Sequence, residues 1–217
     1  MMENEGVRLD ERFRTMPWDM IDAVVFDIGN VLMRYAPAEF VRASFPDDEK
    51  KQKEMLARVF EGKYWRDLDR GSRTHDEVAR LLVSEYGGSY EDYLFVMTDW
   101  SEKCVLLEEG WRAAERCKAK GKGIYLLSNY NGVSFKRLME RFGNRFSMFD
   151  GGFISYEELL LKPERAIYQA LVNRYALTPG RLLFIDDTLD NVEGAMRAGL
   201  NGFRMNREGK MDGFFVD

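Results

Sequence analysis

The chain has 217 residues, 45% hydrophobic and 32% charged, with a net charge of -5 at pH 7. That balance belongs to an ordinary globular protein with one substantial core and room for a smaller inserted unit. No apolar stretch approaches the roughly 20 residues that span a bilayer, and general nucleic-acid affinity needs a concentrated basic surface that this acidic chain lacks. Neither a membrane nor a nucleic acid is an expected partner.

Two cysteines, Cys104 and Cys117, are too few for a disulfide framework or a Cys-rich zinc site. They predict a reducing, cytoplasmic setting and inert helix thiols. Met1 to Asp19 is charged and lacks the apolar stretch of a secretory signal, so residues 1–19 read as an N-terminal extension. Met2, Met16 and Met20 leave open an alternative start.

Ile21 to Phe26 is a compact, β-branched apolar run suited to a strand buried on both faces, and it ends at Asp27, where a Gly turn follows. Residues 36–104 then show helical patterns at Pro37 to Phe45, Glu49 to Phe60, His75 to Tyr86 and Tyr90 to Cys104, without a convincing buried strand. An insertion leaving the core just after Asp27 is expected to cover the site as a helical cap. The core then comprises residues 20–35 and 105–217.

Beyond the insertion, apolar runs recur at Ile124 to Leu127, before Ser128-Asn129, and at Leu182 to Ile185, before Asp186-Asp187. Helical patterns fall between them: Glu108 to Lys120 with Gly121 as a stop, Ser134 to Phe142 with Gly143, and Pro163 to Leu177. Strands alternating with helices imply an α/β fold, a Rossmann-like three-layer core around a parallel sheet. Ligands of such sheets bind outside the carboxyl ends of the strands, where the polar residues fall here.

A strand-end carboxylate can attack phosphorus and divide one hard displacement into two easier steps, so Asp27 is the candidate nucleophile. Phosphoryl transfer needs positioned donors and a hard cation. Magnesium (Mg2+) suits a site made by Asp27, Asp187 and the Gly29 carbonyl, with Asp186 beside it. Ser128 and Asn129 can donate to phosphate oxygens, and Lys162 supplies a positive charge, placed by Pro163 at an expected helix start. Each element alone also reads as a turn or a helix cap. Their order and common placement favour the catalytic reading.

The four motifs, Phe26-Asp27-Ile28-Gly29-Asn30-Val31-Leu32, Leu127-Ser128-Asn129, Lys162-Pro163-Glu164 and Phe184-Ile185-Asp186-Asp187 with Asp190-Asn191, resemble those of the haloacid dehalogenase superfamily. The resemblance covers Ile21 to Met205 and implies a Rossmann-like core, a cap between the first two motifs and a magnesium-dependent aspartyl-phosphate mechanism. The Gly-Asn-Val wording resembles a branch with glucose 1-phosphate phosphatases and proteins similar to the N-terminal phosphatase domain of soluble epoxide hydrolase. Most phosphatases of the superfamily carry Asp where this chain has Gly29, as the acid for the leaving group and the base for water.

The expected activity is therefore a phosphatase acting on a small phosphorylated metabolite such as a sugar phosphate. Two alternatives stand beside it: a metal-independent 2-haloacid dehalogenase, and a phosphate-ligand binding or regulatory protein with little turnover. His75, the only histidine, is expected in an exposed first turn behind a capping box of Thr74 and Glu77. Trp65, Arg66, Asp67 and Arg70 read as a packed aromatic in a surface charge cluster, with substrate contact as the rival. Asp190 and Asn191 either face the site edge or cap a helix. Oligomeric state is not legible.

Overall fold

The computed structural model describes residues 18–205 in full and, before them, the backbone of a short antiparallel pair, β1 (Gly6–Val7) and β2 (Met16–Pro17). The rest of the expected extension, residues 1–5 and 8–15, lies outside the described residues, as do 206–217. Trp18, within that extension, is buried in the main core.

The first apolar run forms β3 (Ala23–Phe26), every residue of it buried. Parallel neighbours β4 (Gly123–Ser128) and β6 (Leu182–Asp186) flank it, and β5 (Gly151–Ile154) and β7 (Asn201–Arg204) close the edges in the order β5-β4-β3-β6-β7. Because strand side chains alternate, Val24 and Phe26 enter one core with Trp111 and Cys117 of α6 (Glu108–Ala119) and Leu138 of α7 (Gly132–Phe146). Ala23 and Val25 enter the other, with Ile167 and Leu171 of α9 (Arg165–Arg174) and Ala195 of α10 (Leu189–Arg197). This is the three-layer α/β arrangement that the strand and helix alternation predicts.

Five helices lie between β3 and α6: α1 (Pro37–Ser44), α2 (Glu49–Met55), α3 (Trp65–Arg70), α4 (His75–Tyr86) and α5 (Tyr90–Asp99). The pattern over Glu49 to Phe60 divides into α2 and a π-helical turn over Leu56–Phe60, and that over Tyr90 to Cys104 into α5 and a 3-10 turn over Trp100–Lys103. No described helix is long and apolar enough to cross a membrane.

Two helix boundaries differ from expectation. Gly143 does not stop α7, which runs on to Phe146; a Cβ there would meet nothing within 4 Å, so the glycine sits on an open face and no backbone turn depends on it. Pro163 does not open α9: the helix begins at Arg165 with Glu164 as N-cap, and the Lys162-Pro163 peptide is cis. Lys162 therefore lies in the loop before the helix, and other groups hold it.

Candidate active site

β3 and β6 are in register at Phe26 and Ile185, and the Asp27 amide donates to the Ile185 carbonyl at 2.9 Å. Asp27 and Asp186 thus emerge side by side. Lys162 reaches between them, its Nζ 2.8 Å from Asp27 Oδ1 and 2.6 Å from Asp186 Oδ2. All three residues are buried. Burial alone would lower the Lys162 pKa, but the charges of Asp186 and Asp27 outweigh it and hold the ammonium above its ordinary value.

The loops fix this group from both sides. Asn129 Nδ2 donates to the Lys162 carbonyl at 3.0 Å while Asn129 Oδ1 accepts from the Lys162 amide at 2.9 Å. Asp186 accepts from the Thr188 amide at 2.8 Å and from Asn191 Nδ2 at 3.1 Å. Its oxygens are therefore already engaged, which makes it the anchor of Lys162. Burial and the Asp27 charge push the Asp186 carboxyl upward, against the pull of Lys162.

Asp187 sits at the half-buried edge. Ligand atoms of Asp27, Asp186 and Asp187 lie within 4.8 Å of one another. Burial, then the Asp27 charge, raises the Asp187 pKa, and Asn30 Nδ2 opposes this with a 2.9 Å bond to its Oδ2. Asn30 adopts the left-handed region (φ 52°) and its Oδ1 accepts from the Tyr35 amide at 3.0 Å. Its bracing role has a legible origin: the Gly29-Asn30 turn calls for a residue that tolerates positive φ, and Asn does.

Three carboxylates facing one ammonium leave a net negative site. A divalent cation with oxygen ligands fits that donor set. Asp27, Asp187 and the Gly29 backbone would hold it, in a place where burial has already made Asp187 costly to charge.

These groups open into a cavity of about 540 Å³, lined by Asp27, Gly29, Asn129, Lys162 and Asp187 from the strand ends and by Asp190 and Asn191 from α10. The opposite wall is aromatic. Tyr35, Trp65, Trp100 and Tyr130 line it, with ring centroids 5.0 Å apart for Tyr35 and Trp100 and 5.7 Å for Trp100 and Tyr130. Trp65 and Arg66 thus face the cavity, while Asp67 is half-buried beside Arg73, which it meets at 3.0 Å. Ser128 is buried at the end of β4, next in the chain to the lining residue Asn129.

One lining acid, Asp69 of α3, has no counterpart in the sequence motifs. Nothing in its spacing marks it among 37 acidic residues. Only its place beside Arg70-Gly71, a helix end within the expected cap, distinguishes it. His75 is half-buried, not exposed; the Thr74 and Glu77 capping box is present, and the imidazole faces Asn131. Burial pushes the Cys104 and Cys117 thiols up to about 11 and about 12, which keeps them protonated and inert.

Comparisons with known proteins agree with this geometry. A haloacid dehalogenase-like hydrolase family model matches residues 21–199. A sesquiterpene phosphatase of Aspergillus oryzae is 26% identical over 84% of this chain and 89% of its own. An enolase-phosphatase of Aquifex aeolicus is 26% identical over 88% of this chain and 92% of its own. Among solved structures, a HAD family enzyme of Bacteroides thetaiotaomicron, in complex with magnesium and inorganic phosphate, shares the fold with a TM-score of 0.64 at 21% identity, covering 85% of this chain and 93% of that one. The strand order, the strand-end carboxylates and the matched span together make this chain a member of the haloacid dehalogenase-like hydrolase family.

Proposed function

We propose that the protein is a cytoplasmic, magnesium-dependent phosphomonoesterase that acts on a small phosphorylated metabolite through an aspartyl-phosphate on Asp27. The observation that carries this reading is Lys162, buried between Asp27 and Asp186 with Asp187 alongside: a fixed positive charge beside a strand-end carboxylate, in a site that still has negative charge to spare. In this reading Asp27 is the nucleophile. Lys162 and the remaining Asn129 N–H hold phosphoryl oxygens, and bound magnesium neutralises charge on the transferring group. Asp186 keeps Lys162 in place, and Ser128, at the end of β4 beside Asn129, is a further donor to the phosphoryl group.

We further assign residues 20–35 and 105–217 to the catalytic core and 36–104 to a cap that selects the substrate. The aromatic wall suits a substrate whose organic part offers an apolar face, as a sugar ring or an isoprenoid chain does. Relatives named as phosphatases support the reaction class. Dehalogenation without a metal is the less favoured reading, because carboxylates clustered within 4.8 Å call for a cation.

The test is phosphate release from a panel of phosphorylated metabolites, with magnesium and with a chelator, by the wild type and Asp27→Asn. Release that needs magnesium and disappears in Asp27→Asn is expected. Equal release by both proteins would remove Asp27 from the mechanism.

A further inference from the structure

Gly29 leaves the nucleophile loop without an acid, and the helix across the cavity carries one. We propose that Asp69 is the general acid and base of the reaction, protonating the leaving oxygen as Asp27 attacks and then taking a proton from the water that hydrolyses the aspartyl-phosphate. This rests on the phosphatase reading above.

The geometry is fixed by the backbone around Asp69. Ser155 Oγ donates to the Asp69 carbonyl and accepts from the Tyr130 amide at 3.0 Å, tying α3 to the loop after β4. Arg70 donates to both carboxylate oxygens of Glu164, two residues beyond Lys162, and to the Leu159 carbonyl at 3.1 Å. Gly71, at φ 75°, passes so close to Tyr156 that a Cβ would stand 2.4 Å from the Tyr156 carbonyl oxygen. Leu68, on the other side, is buried. These restraints hold Asp69 in the lining of the cavity that Asp27, Gly29 and Lys162 also line.

The charge environment suits the task. Burial and the Asp27 charge raise the Asp69 carboxyl to about 7, against Lys162 and the Asn131 N–H groups, which lower it. Asn131 is itself buried. Tyr35 and Tyr130 face Asp69 with phenol pKa values raised by burial, so both stay neutral. Arg66 lines the cavity from the same helix, and His75 meets Asn131 from α4. The helix packed against α3, α8 (Ser155–Glu158), carries Glu157 and Glu158, which are engaged by Tyr156 and Arg174. A carboxyl that holds its proton near neutral pH can give it up and recover it within one cycle.

The steps balance. In the first, the Asp27 oxygen bonds to phosphorus, the bond from phosphorus to the ester oxygen breaks, and the Asp69 proton passes to that oxygen to release the alcohol. In the second, water bonds to phosphorus, its proton returns to Asp69, and the bond from phosphorus to Asp27 breaks to release phosphate.

The test compares wild type, Asp69→Asn and Asp27→Asn, all full-length with magnesium, on p-nitrophenyl phosphate and on alkyl phosphates. Asp69→Asn is expected to lose about 10²–10⁴ in kcat/KM on alkyl esters, far less on p-nitrophenyl phosphate, and to lose the alkaline limb of the kcat/KM pH profile near neutrality. Gly29→Asp in the Asp69→Asn background is expected to restore alkyl ester turnover, since a Cβ at position 29 meets no atom nearer than Asp27 Oδ2 at 4.0 Å. Equal losses on both ester classes, or none, with Asp27→Asn inactive, would overturn the role of Asp69 and leave the phosphatase reading standing. A wild type inactive on every ester would overturn both. Competitive inhibition by inorganic phosphate, retained in Asp69→Asn, separates loss of the proton carrier from loss of the fold.

Discussion

Asn129 and Lys162 exchange two hydrogen bonds, with the side-chain amide of one mimicking a strand neighbour for the backbone of the other, at 3.0 Å and 2.9 Å. Asn129 therefore acts as a template for the lysine loop. Asn129→Ala is expected to lower kcat by roughly 10–10²-fold, because a small displacement of Lys162 degrades alignment at phosphorus. Steady-state kinetics on p-nitrophenyl phosphate check it, and a change confined to KM would return Asn129 to a simple ligand contact.

Lys162 is the charge that makes two buried carboxylates tolerable. Replacing it with Met strands Asp27 and Asp186, and removing one partner of a buried pair typically costs about 3–5 kcal/mol. Urea denaturation of Lys162→Met is expected to show a loss of that order. Adding Asp186→Asn should recover part of it, and a double variant no more stable than the single would contradict this account.

Gly71 is needed for two reasons at once, its left-handed backbone and its contact with Tyr156. Gly71→Ala is expected to destabilise the protein by more than about 1 kcal/mol, since alanine fits neither the conformation nor the space. Thermal unfolding measures the loss. A Tm within one degree of wild type would show that the seam between α3 and α8 can relax.

Asp69 also makes stability depend on pH. Its carboxyl keeps a proton up to about 7 in the folded chain, whereas the unfolded aspartate loses it near 3.8, so between these values the folded state binds more protons. This group's contribution is present at low pH and is lost as pH rises through 7. In metal-free buffer the Tm of Asp69→Asn relative to wild type is expected to climb between about pH 5 and about pH 8. A flat difference across that range would mean that Asp69 ionises as an ordinary surface acid.

The three central strands were legible because burial on both faces demands unbroken apolar runs, as Val24-Val25-Phe26 and Leu182 to Ile185 display. The edge strands were not. β5 and β7 are four residues each and contain glycines where side chains from neighbouring helices press in, Tyr175 on Gly151 and Val192 on Gly202. Asp27, Asp187 and Lys162 could be placed by motif and strand end, but the lysine's supports could not: Asn129 and Asp186 act from distant segments, which local helix rules do not register. Asp69 was hidden more deeply. Its significance comes from a six-residue helix folding back on the core, and no periodicity announces that.

The pairing of Phe26 with Ile185 has a bearing on how such a chain can change over time. Odd and even positions of β3 belong to different hydrophobic cores, so one residue gained or lost within Ala23–Phe26 would exchange the two cores and turn Asp27 away from Lys162. Strand length is thus locked to chemistry. Loops on the cavity's aromatic side carry no such parity, so insertions and deletions can reshape what enters the site there without moving the carboxylate that reacts.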